Sequence, residues 1–107
     1  MTVIKQAVMP GRLRTVPAGF GWVDHRFVRD RHIGGVSCEA LALYLFLLTV
    51  ADGSGLSHWS PRSIGGLLDL TVCRIEQAAA ELQSRDLVAY APPLWQVLSL
   101  PEGGRRC

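Results

Sequence analysis

Cysteine is scarce in this 107-residue chain, and its three copies, Cys38, Cys73 and Cys107, form no CxxC pair. An odd, scattered set argues against a disulfide framework and reads as reduced thiols. Long hydrophobic runs are missing too. The longest uncharged apolar stretch, Ala40 to Ala51, falls far short of the roughly 20 residues that cross a bilayer. Residues 1–30 contain no apolar segment followed by a small-residue cleavage site, because Lys5, Pro10, Gly11, Arg12 and Arg14 interrupt the hydrophobics. A cytoplasmic chain with no membrane contact is the expectation.

Signatures of catalysis and ligand capture are also lacking. No GxxxxGKS/T or GxGxxG stretch is present to cradle phosphates, and Asp52-Gly53-Ser54-Gly55 lacks the repeated carboxylates of a calcium loop and reads as a turn. His25, His32 and Cys38, with a fourth ligand drawn from His58 or Cys73, match no zinc spacing. No serine lies in a nucleophile elbow. The expectation is a protein that is not an enzyme, with no cofactor, no metal and no evident small-molecule ligand.

What is present is enough apolar material to fold. Hydrophobic residues make up 49% and charged residues 19%, outside the range where chains stay disordered. A chain of this length suffices for one core and is short for two. The net charge of +2 is small but unevenly placed. Residues 1–35 carry Lys5, Arg12, Arg14, Arg26, Arg29 and Arg31 against Asp24 and Asp30, a net +4. Residues 36–101 carry Arg62, Arg74 and Arg85 against Glu39, Asp52, Asp69, Glu76, Glu81 and Asp86, a net −3. This pattern suggests a basic arm on a mildly acidic body.

Residues 1–19 mix Pro10, Gly11, Pro17 and Gly19 with scattered apolar residues and read as an arm with no sustained helix or strand. A short helix is expected over 24–31, with Trp22, Val23 and Phe27 packed. Ser37 is placed to cap a helix over 38–51 that is apolar nearly all round, so it serves as a central helix or a dimer seam. One short strand over 56–59 follows. Ser60-Pro61 starts a helix over 61–68, and Thr71 caps another over 72–84 whose Ile75, Ala79 and Leu82 share one face. Strands over 87–90 and 94–98 flank Ala91-Pro92-Pro93, with Tyr90 and Trp95 read as a cross-strand aromatic pair. Residues 101–107 read as a frayed tail.

A long buried helix, a short strand, two helices joined by a tight turn and a terminal hairpin resemble a winged helix-turn-helix domain over about residues 37–100. Ser60 to Thr71 looks like the first helix and turn of the motif, and Arg74-Ile75 through Leu87-Val88 like its recognition helix running into the first wing strand. Trp22-Val23-Asp24-His25-Arg26, Ala40 to Phe46 and Val50-Ala51-Asp52 are similar to small bacterial helix-turn-helix proteins found beside mobile elements and plasmid replication genes. The chain departs from the motif in carrying Gly65 and Gly66 inside a helix, and Asp69 and Asp86 where glycine is usual at helix ends.

The resemblance implies a mainly α fold with a small β-hairpin, organised as an arm over 1–19, a winged helix-turn-helix over 20–100 and a tail over 101–107. It implies sequence-specific binding of double-stranded DNA, as a transcriptional or replication regulator of a mobile or plasmid-type element acting as a homodimer. Thr71, Cys73, Arg74 and Gln77 would stand in the N-terminal turns that enter the major groove, where arginine pairs with guanine and glutamine with adenine. Ser60, Arg62 and Ser63 would hold a phosphate at the start of the preceding helix, and Lys5, Arg12 and Arg14 would track the backbone. The alternative is a non-catalytic protein-interaction adaptor on the same fold, to which the acidic body is suited. Glu76 and Glu81 beside Arg74 and Gln77 leave the charge of the recognition helix indecisive.

Overall fold

The structure, a computed structural model, describes residues 5–15 and 18–100. The frayed tail expected over 101–107, and residues 1–4, 16 and 17 of the expected arm, lie outside the described residues. In the described part of the arm the regular structure is one 3-10 turn, Pro10–Arg12, and every residue of 5–15 is exposed.

Helix α1 is a single turn, Arg26–Arg29, shorter than the segment expected over 24–31. Asp24 accepts the Arg26 backbone N–H at 2.9 Å and so starts the turn late, while Arg31 at φ 64° takes the left-handed conformation and ends it early. Of the three residues expected to pack here, Phe27 does, against Tyr44 at 4.8 Å between ring centroids. Trp22 and Val23 are instead exposed. At Gly21 the backbone lies so close to the next helix that a Cβ there would collide with the Leu48 carbonyl oxygen.

Helix α2, Cys38–Val50, begins as its Ser37 cap predicts, with the serine hydroxyl accepting the Ala40 N–H at 3.2 Å. Ala40, Leu43, Tyr44 and Leu47 are buried, and Leu41, Phe46 and Leu48 pack half-buried beside them. The helix is thus buried on more than one side, but Leu45 stays 63% exposed.

Strand β1, Leu56–His58, leads to helix α3, Pro61–Leu68, and helix α4, Val72–Ser84. Both helices begin where capping chemistry places them: Ser60 accepts from the Ser63 N–H and Thr71 from the Arg74 N–H. Asp69 ends α3 at φ 57° and Asp86 follows α4 at φ 59°, the left-handed conformation that aspartate tolerates better than most residues. Gly65 explains one departure from the resembling motif, since a Cβ there would collide with the Leu70 carbonyl oxygen as the chain folds back into α4. Gly66 faces open space, and nothing in the structure requires glycine there.

Strands β2, Val88–Ala91, and β3, Leu94–Val97, form the expected hairpin, and Tyr90 lies opposite Trp95 with rings stacked at 3.7 Å. The hairpin is not the whole sheet. Strand β1 adds to its other edge, antiparallel to β3, giving three strands in the order β1-β3-β2. The fold is therefore mainly helical with a small three-stranded antiparallel sheet. Trp95 sits on the central strand, fully buried, and donates its indole N–H to the Trp59 carbonyl at 2.8 Å. Ile64, Ile75, Leu82, Leu87 and Val88 complete one core joining both layers. Among the described residues no helix is long and apolar enough to cross a membrane.

Candidate nucleic-acid interface

Helix α4 buries Ile75, Ala78, Ala79 and Leu82 against the core and leaves Cys73, Arg74, Glu76, Gln77, Ala80, Gln83 and Ser84 exposed. Its N-terminus is reached from α3 through only Asp69, Leu70 and Thr71. The structure therefore brings Thr71, Cys73, Arg74 and Gln77 together on the first turns of one exposed helix. Thr71 is already occupied as a cap, accepting the Arg74 N–H at 3.2 Å. Cys73 is an exposed free thiol.

Arg74 has an intramolecular partner that local sequence reading misses. Its guanidinium donates to the Glu39 carboxylate of α2 at 2.7 Å. Gln77 lies beside this pair in a shallow groove of about 230 Å³, shared with Ser37, Ala78 and Glu81. The lone arginine of α4 is thereby neutralised, and Glu76 stands exposed on the same helix.

Glu81, expected on the outer face, turns to the start of α2. It accepts both the Ser37 N–H and the Ser37 hydroxyl, each at 2.7 Å. The Ser37 N–H first and its hydroxyl second hold the Glu81 carboxyl below its ordinary value of 4.5. A depressed carboxyl stabilises the fold above that value and loses its contribution as pH falls through the folded one. Glu81→Ala is accordingly expected to cost about 1–2 kcal/mol at neutral pH, discounted for solvent screening, and distinctly less near pH 3. Chemical denaturation of both proteins across pH 3–7 checks this; a cost that does not change with pH would remove the ionised carboxylate from the account. Asp24 and Asp52 are also depressed, so part of the acid sensitivity remains in the variant.

At the start of α3, Ser60 and Ser63 satisfy one another: the Ser60 hydroxyl accepts the Ser63 N–H at 3.1 Å and bonds the Ser63 hydroxyl at 3.0 Å. Arg62 is exposed beside them. Lys5, Arg12 and Arg14 are exposed as well, and among the described residues no hydrogen bond or ion pair joins them to α3 or α4. The structure thus places Thr71, Cys73, Arg74 and Gln77 on the first turns of α4, places Ser60, Arg62 and Ser63 at the start of α3, and shows no bond from the arm residues to either helix among the described residues. Other cations are partly engaged. Arg26 pairs with Asp24 at 2.7 Å, and Arg85 donates to the Gly34 carbonyl at 2.7 Å. No group of three or more His, Cys, Asp or Glu among the described residues is placed to hold a metal.

The signal for the missed partners is weak but present: Glu39 in the first turn of α2 and Glu81 on α4 are acidic groups near an otherwise positive helix N-terminus. Compared with protein-family models, with curated proteins and with solved structures, the chain matches none of them.

Proposed function

We propose that this chain is a winged helix-turn-helix protein that binds double-stranded DNA in the cytoplasm, as a non-catalytic bacterial regulator of a mobile or plasmid-type element. The observation that carries the reading is the order α2-β1-α3-α4-β2-β3 with sheet order β1-β3-β2, in which a short turn leaves the first turns of α4 exposed. In the motif those turns enter the major groove. Arg74 then pairs with a guanine and Gln77 with an adenine, while Arg62 and the arm meet phosphates.

The Arg74–Glu39 pair opposes this contact only weakly. An exposed ion pair is worth about 0–1 kcal/mol, whereas a bidentate arginine–guanine contact contributes about 1–3 kcal/mol of discrimination. Arg74 can leave Glu39 for a base with energy to spare. The same pair, with Glu76 exposed nearby, favours the adaptor as the second reading, because it removes the positive charge from α4.

Selection of bound fragments from random duplex DNA, followed by affinity measurements over a salt series, separates the two. Binding should weaken as salt rises. Arg74→Ala should cost about 1–3 kcal/mol and relax preference at one base pair, and Glu39→Gln should strengthen binding by freeing Arg74. No duplex binding at low salt would leave the adaptor.

The proposal includes a homodimer through the strip of α2 around Leu45, since paired half-sites match a two-fold protein. Light scattering should return twice the chain mass of 11.7 kDa at micromolar concentration. The single mass would overturn the dimer without touching the DNA reading.

A further inference from the structure

Residues 20–24 and the C-terminal half of α2 enclose a cleft that the DNA reading does not use. Its volume is about 320 Å³, at the small end of the roughly 300–1,000 Å³ typical of small-molecule sites. Gly21 makes it possible. A Cβ at that position would stand 2.5 Å from the Leu48 carbonyl oxygen, so only glycine lets the chain lie directly on the α2 backbone. Held there, Phe20 and Trp22 line the cleft on either side of Gly21, and Tyr44 and Leu48 line it from the helix. The end of β3 and the turn over 52–55 close the other side. Phe20 is 65% and Trp22 69% exposed, so two large aromatic rings stand at the mouth of a concave site.

The charged side chains of the cleft are all of one sign. Asp24 and Asp52 line it, and among the described residues no lysine, arginine or histidine does. Hydrogen bonds from the Arg26 side chain and backbone lower Asp24 to about 2, and the Leu56 and Ser54 N–H groups lower Asp52, so both are ionised at neutral pH. They differ in what is left for a ligand. Asp24 is neutralised by Arg26, whereas Asp52 accepts uncharged N–H groups at 2.8 and 2.9 Å and has no cationic partner among the described residues.

We propose that this cleft binds a small organic ammonium cation with an apolar body, the charge lying between Asp52 and the face of Trp22 and the body against Phe20, Tyr44 and Leu48. Ring faces attract cations, tryptophan most strongly, and an uncompensated carboxylate adds to the same preference. An anion of the same shape meets repulsion from Asp52. A neutral molecule of the same shape gains the apolar contact alone.

Three probes with one body isolate the charge: phenethylammonium, phenethyl alcohol and phenylacetate, titrated into the full chain while amide and indole NMR signals are followed. Phenethylammonium should shift the Trp22 indole and the Gly21, Gly53 and Gly55 amides, and bind about 5-fold tighter than the alcohol, with phenylacetate weakest. Trp22→Ala, at an exposed position, should weaken the ammonium about 5-fold with the melting curve unchanged. Asp52→Asn keeps an acceptor oxygen for Ser54 and Leu56 and should bring the ammonium down to the level of the alcohol. Should that variant unfold, added salt in the parent protein provides the same test, weakening the ammonium and sparing the alcohol. Equal affinity for all three probes, or no shifts at the cleft up to the solubility of the probe, would overturn the proposal. So would shifts that follow protein concentration instead of probe, which would assign the cleft to a second copy of the chain.

Discussion

Trp95→Ala is expected to cost about 3–5 kcal/mol, a large share of the 5–15 kcal/mol that holds a typical domain together. The residue is fully buried on the central strand, with Ser57 opposite it on β1 and Tyr90 opposite it on β2. Removing the indole opens a cavity between sheet and helices, strips Tyr90 of its stacking partner and leaves the Trp59 carbonyl without its N–H donor. Trp95→Phe separates these effects. It retains a ring against Tyr90 and surrenders the hydrogen bond and part of the volume, so about 1–2 kcal/mol is expected. Urea denaturation followed by circular dichroism measures both. A cost below about 1.5 kcal/mol for the alanine variant would mean that the helices hold the core without the sheet.

What can be read from the sequence is local. The boundaries of α3 and α4 follow from Ser60-Pro61 and Thr71, each a cap acting within three residues of itself, and the hairpin follows from two apolar runs flanking Ala91-Pro92-Pro93. The left-handed ends at Asp69 and Asp86 are legible only through the resemblance, in which glycine is usual at those helix ends. Pairing across the chain is not. Strand β1 reaches β3 over a long separation, so it reads as isolated, and Arg74 reads as a free cation although Glu39, 35 residues earlier, neutralises it. Trp22 and Val23 read as core because they are apolar, yet at Gly21 it is the backbone that closes on α2, and both side chains stay exposed.

These long-range partners change how the surface is understood. Composition alone leaves α4 with one usable cation; the Glu39 pair makes that cation conditional on a ligand strong enough to displace a carboxylate. Glu81, a repulsive surface charge by sequence, is spent on Ser37 and ties α4 to the start of α2. Neither contact changes the net charge of −3 on residues 36–101, since Ser37 is uncharged and the Arg74–Glu39 pair is already counted in it, and most of the positive charge without an ion-pair partner among the described residues lies upstream of α2.

If the chain binds duplex DNA as proposed, deleting residues 2–15 should flatten the salt dependence of that binding and leave the fold intact. The deletion removes Lys5, Arg12 and Arg14, spares Gly21 and Phe27, and takes no buried residue among those described. Each phosphate deprived of its cation lowers the slope of log affinity against log salt by about 0.9, so removing all three cations lowers it by up to about 2.7. Between roughly 50 and 200 mM salt a slope change of that size alters the affinity ratio about 40-fold, well beyond the scatter of a binding titration. Melting of the truncated chain at the parent temperature would place the arm outside the core, and unfolding would place it inside. An unchanged slope in a folded truncation would transfer the phosphate contacts to Arg29, Arg31 or Arg62, which are exposed and remain in the shortened chain.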